Sequence, residues 1–274
     1  MPHRNHRTVK GFSLVELLIG IALSCLIVLA LYEVMTSQNR IYSLQDDISE
    51  MQQSLRVGIE QIARDLTMAG FGKPSRLGTT SWPTLNNGFT GLDFSIRVTG
   101  GNTLDIVGCL DPAAGQLATA VSAGATSITL GSGQGTNFNT TTKCDISIGG
   151  KENAKVTHVA GDTLTIDTNP LLAGNQGFAY GFPADTSVFI VKYHTYTVDT
   201  TDSTRPLLKV DEHLGAGSQE IVQFVNGMSI SLSGNALNLT LTGRTRKQDR
   251  TTGQYVTAQL ADKVYLRNLP NTPD

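Results

Sequence analysis

The chain has 274 residues, a formal net charge of −2, 16% charged residues and 28 glycines. So mild an acidity argues against a dedicated nucleic-acid binder, which shows a basic patch or stripe, and the length leaves room for one large domain or two small ones. Three cysteines are too few for a disulfide scaffold, and their spacing fits no zinc pattern.

Residues 1–11 form a polar leader carrying Arg4, Arg7 and Lys10 and no acid. At Phe12 a nearly unbroken apolar run begins, and it continues to Leu31. As a helix at ~1.5 Å per residue, 12–31 is ~30 Å long and crosses a bilayer. The leader cations belong on the cytoplasmic side, so everything after Leu31 is expected across the membrane. Glu16 breaks the run: a carboxylate there costs ~2.5–3.5 kcal/mol even on lenient insertion scales, so it calls for a functional reason. Cys25, mid-membrane, reads as a small apolar packer.

No proline occurs between Phe12 and Ala69, and apolar residues recur in steps of three and four as Ile41, Leu44, Ile48, Met51, Leu55, Ile59, Ile62, Leu66 and Ala69. That spacing predicts one helix over 12–70, greasy on all sides at first and amphipathic later. Asp46, Asp47, Glu50, Arg56, Glu60, Arg64 and Asp65 fall to its solvated face. Gly70-Phe71-Gly72-Lys73-Pro74 ends it. The stripe is expected to dock on a sheet; a coiled-coil stalk would need a longer heptad run with opposite charges on its flanks.

Segment 71–114 reads as loop plus a first strand at Leu104–Gly108. From 115 to 186 short Thr/Ser-rich strands alternate with glycines: Ser127–Leu130, Asp145–Ile148, Lys155–Val159 and Thr163–Asp167, with a tight turn at Ala160-Gly161-Asp162. This stretch is expected to be a small β-barrel or sandwich inserted into the head. Segment 187–269 reads as a β-meander, with Asn226-Gly227 and Gly234-Asn235 as hairpin turns, and 270–274 is a tail. The fold class is α+β.

The junction Lys10-Gly11-Phe12, followed by Glu16 in an apolar run, resembles the cleavage and methylation site of type IV prepilins. The helix end Arg64-Asp65-Leu66-Thr67-Met68-Ala69-Gly70-Phe71 and the tail Val264-Tyr265-Leu266-Arg267-Asn268-Leu269 resemble those of PilW-type minor pilins. The resemblance implies a cut between Gly11 and Phe12, N-methylation of Phe12, and pairing of Glu16 with the Phe12 amine of a neighbouring subunit. It implies a prepilin peptidase that also methylates, other major and minor pilins, an inner-membrane assembly platform, the lipid bilayer before assembly and a tip adhesin as partners, and no cofactor. It places the chain as a single pass in the inner membrane, head in the periplasm, and then in a filament. A head this bulky suits a minor subunit that primes assembly or sits near the tip. The alternatives are a minor pseudopilin of a type II secretion system, a DNA-binding competence pseudopilin and a membrane-anchored periplasmic enzyme.

No catalytic constellation stands out. His158, His194 and His213 fall in separate β or loop contexts, and Gly131-Ser132-Gly133-Gln134-Gly135 lacks the lysine and helix of a phosphate loop. Asp199, Thr200, Asp202 and Ser203 lack calcium-loop spacing, and Arg244, Arg246, Lys247 and Arg250 read as a solvated hairpin tip. Cys109 and Cys144, both on the exported side, are a candidate disulfide pair.

Overall fold

A computed structural model of the chain describes residues 13–75, 82, 84–85, 89–250 and 252–268. Two compact units are present, Met1–Ser49 and Glu50–Asp274, and α1 (Leu14–Met68) passes from the first into the second. In the first unit every residue from Leu14 to Leu31 is exposed. Among the described residues, α1 is the one helix long and apolar enough to cross a membrane, with mean hydropathy reaching 2.8.

In the second unit the amphipathic stripe turns inward. Met51, Leu55, Ile59, Ile62, Leu66 and Ala69 are all buried. Gly58, outside the expected stripe, is part of this contact. A Cβ there would lie 3.0 Å from both Leu208 and Leu241, so glycine lets the helix come close to the sheet. Truncating Ile62 or Leu66, both fully buried, to alanine is expected to cost about 2–5 kcal/mol. Chemical unfolding of the detergent-solubilised chain checks this, and a midpoint equal to wild type would mean that the stripe carries no packing energy.

The strands that receive α1 are interrupted in sequence by those of a second sheet. β1 (Thr84–Leu85) and β2 (Phe89–Thr90) pair with each other, and β3 (Ile96–Thr99) pairs with β4 (Thr103–Gly108). Next come β5 (Gly115–Gln116), β6 (Ser127–Thr129), β7 (Asp145–Ile148), β8 (Glu152–Ala160), β9 (Thr163–Asp167) and β10 (Ser187–Ile190). The chain returns through β11 (Lys192–Asp199), which pairs with β4, then β12 (Leu207–Asp211) and β13 (Gln219–Gln223). β4, β11 and their neighbours form a five-stranded antiparallel sheet in the order β13-β12-β11-β4-β3. β14 (Val225–Ser233), β15 (Ala236–Gln248) and β16 (Tyr255–Tyr265) form a three-stranded sheet, and β14 lies against β11 and β12. The fold is α+β: one long apolar N-terminal helix followed by a β-rich head with a curled sheet.

Strands β5 to β10 form a separate sheet in the order β5-β10-β7-β8-β9-β6. Its two edges meet through a bridge between Leu117 and Leu130, with Ala118 N–H donating to Thr129 O and Gly131 N–H to Gln116 O. The sheet therefore closes into a small barrel. Its interior is filled by residues such as Ile128, Ile146, Ile148, Leu164, Ile166 and Phe178, the inward half of each alternating strand.

Several expectations need correction. Asp65 is buried, not solvated, and so is Asp47. Within the stretch 187–269 expected as one meander, the run from Ser187 to Tyr193 breaks at Val191, because its first part pairs within the barrel and the next strand pairs with β4. Asn226-Gly227 is not a hairpin turn but lies inside β14. The chain changes sheets one step earlier, at Phe224, whose φ of 61° is left-handed. Gly234-Asn235 is the two-residue turn expected, joining Ser233 to Ala236. Cys109 and Cys144 do not form a disulfide. Cys109 packs with Leu85, Val107 and Tyr193, whereas Cys144 lines the barrel interior. Burial pushes each thiol up to about 12, which keeps both protonated and unreactive at neutral pH.

Candidate functional site

The chemistry that sequence reasoning isolated lies in the first turn of α1. Gly11 and Phe12 fall outside the described residues; Ser13 and Glu16 do not. The Ser13 backbone N–H donates to Glu16 Oε2 at 2.9 Å, and the Glu16 N–H donates to Ser13 Oγ at 3.2 Å. This is a capping box: two of the helix's orphan N–H groups are satisfied reciprocally. It also puts the carboxylate where the helix dipole favours negative charge. One turn on, Gly20 and Ser24 share the helix face with Glu16 and Cys25, leaving a shallow groove. Ser24 Oγ is turned back onto Gly20 O at 2.8 Å, so the face presents little polar surface.

The other end of α1 is fastened by the residues that close the head. Asp65, 1% exposed, accepts hydrogen bonds on one oxygen from Tyr196 Oη at 2.6 Å and His194 Nδ1 at 2.7 Å. His194 and Tyr196 are alternate residues of β11, so they point to the same face. With Nδ1 donating to the carboxylate, His194 Nε2 is left buried without a partner among the described residues. In the neutral ring that atom is a bare acceptor, cheaper to leave unmade than a charged donor. Burial and the Asp65 charge together push the Tyr196 phenol far above its ordinary value.

Alternate residues Tyr193 and Thr195 point to the opposite face of β11. Both donate to Asp105 Oδ1, at 3.1 and 2.7 Å, while Arg97 clamps Oδ2 from two nitrogens. Thr195 Oγ1 also meets His213 Nε2 at 2.8 Å, and the His213 ring stacks on Tyr193. Since the hydroxyl proton goes to Asp105, His213 Nε2 is the donor in that contact. Burial is the main reason that the His213 ring is held below its ordinary value. His194 and His213 thus belong to two structural networks, each serving a carboxylate that anchors β11.

Beyond Asp65 the helix stops within five residues. Gly70 (φ 78°) and Gly72 (φ 59°) take left-handed backbone that a side chain would strain. Gly70 N–H donates to Val107 O and Cys109 N–H to Phe71 O, so the outgoing chain extends the edge beside β4. From the other end of the sequence, Asn268 Nδ2 donates to Thr67 O at 3.3 Å, capping one orphan carbonyl of α1. Asn153 of β8 caps Gly72 O, which ties the barrel to the same corner.

The remaining candidates are occupied by their own chain. The Gly131–Gly135 loop cradles a carboxylate, but an internal one: Gly135 and Gly133 N–H groups bond Asp162 at 2.9 Å each and hold it below the usual carboxylate range. Asp199 pairs with Lys209 and accepts from Thr201, while Asp202 accepts twice from Thr204. Arg244 is not at a solvated tip. It is buried, lies 3.8 Å over the Tyr255 ring and donates to Ser203 O. Arg246, Lys247 and Arg250 are exposed.

Asp65, His194, Tyr196, Asp105 and Asn268 are the structural residues that sequence reasoning missed. One signal was available. Asp65 lies three residues after Ile62 and four before Ala69, hence on the stripe side of the helix. No comparable signal marks β11, because a buried polar pair across a sheet depends on register.

A family model for the prokaryotic N-terminal methylation motif matches residues 6–32. The chain is prepilin-like at its N-terminus. That match spans the second half of the leader, the Gly11–Phe12 junction, the capping box and the apolar run, and it points to a structural subunit processed by a prepilin peptidase and assembled with other pilins. No curated protein and no solved structure is a match for the chain.

Proposed function

We propose that this prepilin-like chain is a minor subunit of a type IV pilus, most like the PilW-type minor pilins, and that it primes assembly or sits near the tip. The prepilin peptidase cuts between Gly11 and Phe12 and methylates Phe12. The observation that carries this reading is the coincidence of the methylation motif over residues 6–32 with a helix that is exposed from Leu14 to Leu31 and whose one charge there is Glu16. Such a face needs lipid first and other helices later, and the Gly20–Ser24 groove suits close helix packing. The PilW-type assignment draws support from the roles of Asp65, Gly70 and Asn268, since the two stretches that carry the resemblance are those that fasten α1 to the head. In this reading the 115–186 insert is a module added to a pilin head of 71–114 and 187–269. The exported protein, analysed by intact and peptide mass spectrometry, is expected to begin at N-methyl-Phe12. A mature chain that starts after Leu31, or one that retains residues 1–11, would refute processing at this junction.

A further inference from the structure

A cavity of about 630 Å³ opens beside the end of α1, between the helix-terminating turn, the start of β3, the β14–β15 turn and the tail. Among the described residues Lys73 is its one cation. Its Nζ makes a single hydrogen bond among those residues, to Asp93 O at 3.1 Å, which leaves two N–H donors without acceptors there. Ser75, Ser95 and Asn235 line the same cavity, and Phe94 and Leu232 supply apolar wall. Burial holds the Lys73 amine below its ordinary value, the Asp93 charge only partly offsetting this. An ammonium kept partly dehydrated in a half-enclosed space is short of anionic contact.

We propose that this cavity binds a monoanionic carboxylate, presented by a partner polypeptide as an Asp or Glu side chain flanked by apolar residues. The class follows from the donors. Asp93 repels either anion, but one ammonium pairs the whole charge of a carboxylate and only half that of a phosphate dianion. The source follows from the walls. Phe94 and Leu232, the latter 53% exposed, give the apolar flanks of a peptide something to cover, and a small polar acid would leave them wet. This inference does not depend on the pilus reading, because nothing in it uses residues 1–49.

The test uses the full chain in detergent micelles and the reactivity of Lys73 toward limiting acetylating reagent, read residue by residue by peptide mass spectrometry. Acetyl-Leu-Glu-Leu-amide is expected to protect Lys73 and to leave the exposed Lys247 unchanged. Acetyl-Leu-Gln-Leu-amide and inorganic phosphate are expected to protect neither. A fluorescent version of the Glu peptide should bind Lys73→Met at least about ten-fold more weakly, the loss expected for a charged hydrogen bond. Equal protection by the Gln peptide or by phosphate, or none by the Glu peptide, overturns the proposal. Protection by acetate as strong as that by the peptide overturns the polypeptide source. Since labelling is read on the unmutated protein, a misfolded Lys73→Met cannot hide a negative result.

Discussion

Replacing Glu16 by alanine is expected to remove this subunit from filaments while leaving the head folded. The hydrogen bonds of Glu16 are with Ser13, inside its own first turn, so no head residue loses a partner. Breaking the capping box costs about 0.5–2 kcal/mol of local helix stability, and removing the charge returns ~2.5–3.5 kcal/mol in the bilayer. Insertion is therefore expected to persist or improve. Assembly is different. If the Phe12 amine of a neighbour depends on this carboxylate, it is left buried and unpaired at a cost of ~3–5 kcal/mol, roughly a hundred-fold or more in recruitment. The checks are the ratio of sheared-filament to inner-membrane protein and the thermal midpoint of the solubilised chain. Ser13→Ala separates the two roles, since it removes the hydroxyl half of the cap but keeps the carboxylate; it should incorporate nearly as wild type. A Glu16→Ala chain that enters filaments normally would mean that this subunit does not use Glu16 for register.

The second large effect is expected at Asp65, in the folding of the head. Asp65→Ala strands His194 Nδ1, whose short bond is to Asp65, and leaves the Tyr196 hydroxyl with Gln61 as its remaining side-chain partner. A buried neutral donor left without its acceptor costs about 1–3 kcal/mol, and for a head of this size each kcal/mol is ~2–4 °C, so the midpoint should fall by roughly 2–12 °C. Tyr196→Phe removes a single hydrogen bond to a charged acceptor and should cost about 1.5–3 kcal/mol. The double variant should cost clearly less than the sum, because the two residues share one interaction. A fall of under ~2 °C for Asp65→Ala would mean that helix docking rests on the Met51–Leu66 stripe alone.

Much of this was legible in the residues themselves. Membrane run, charge break and proline-free continuation specify α1 within two residues, since each is a local property of helix periodicity and solvent preference. Most strands between 104 and 266 were legible too, from alternation and glycine punctuation. Their partners were not. Nothing local says that Leu117 meets Leu130 to close a barrel, or that Val191 divides two sheets. Pairing is set by register between segments far apart in sequence, and a shift of one residue exchanges buried and exposed faces.

The same division runs through the candidate sites. By itself the sequence determined the processing motif, because cleavage, membrane entry and the Glu16 charge act on a contiguous stretch. Whether a polar residue outside it is solvent-facing or structural was decided only by tertiary structure. Asp65 and Arg244 look like ordinary surface charges until a β-strand brings His194 and Tyr196 to the one, and Tyr255 and the Ser203 carbonyl to the other. Cys109 and Cys144 look like partners until the fold packs them in different hydrophobic cores. Burial and pairing come from residues distant in the chain, so composition and spacing carry no record of them.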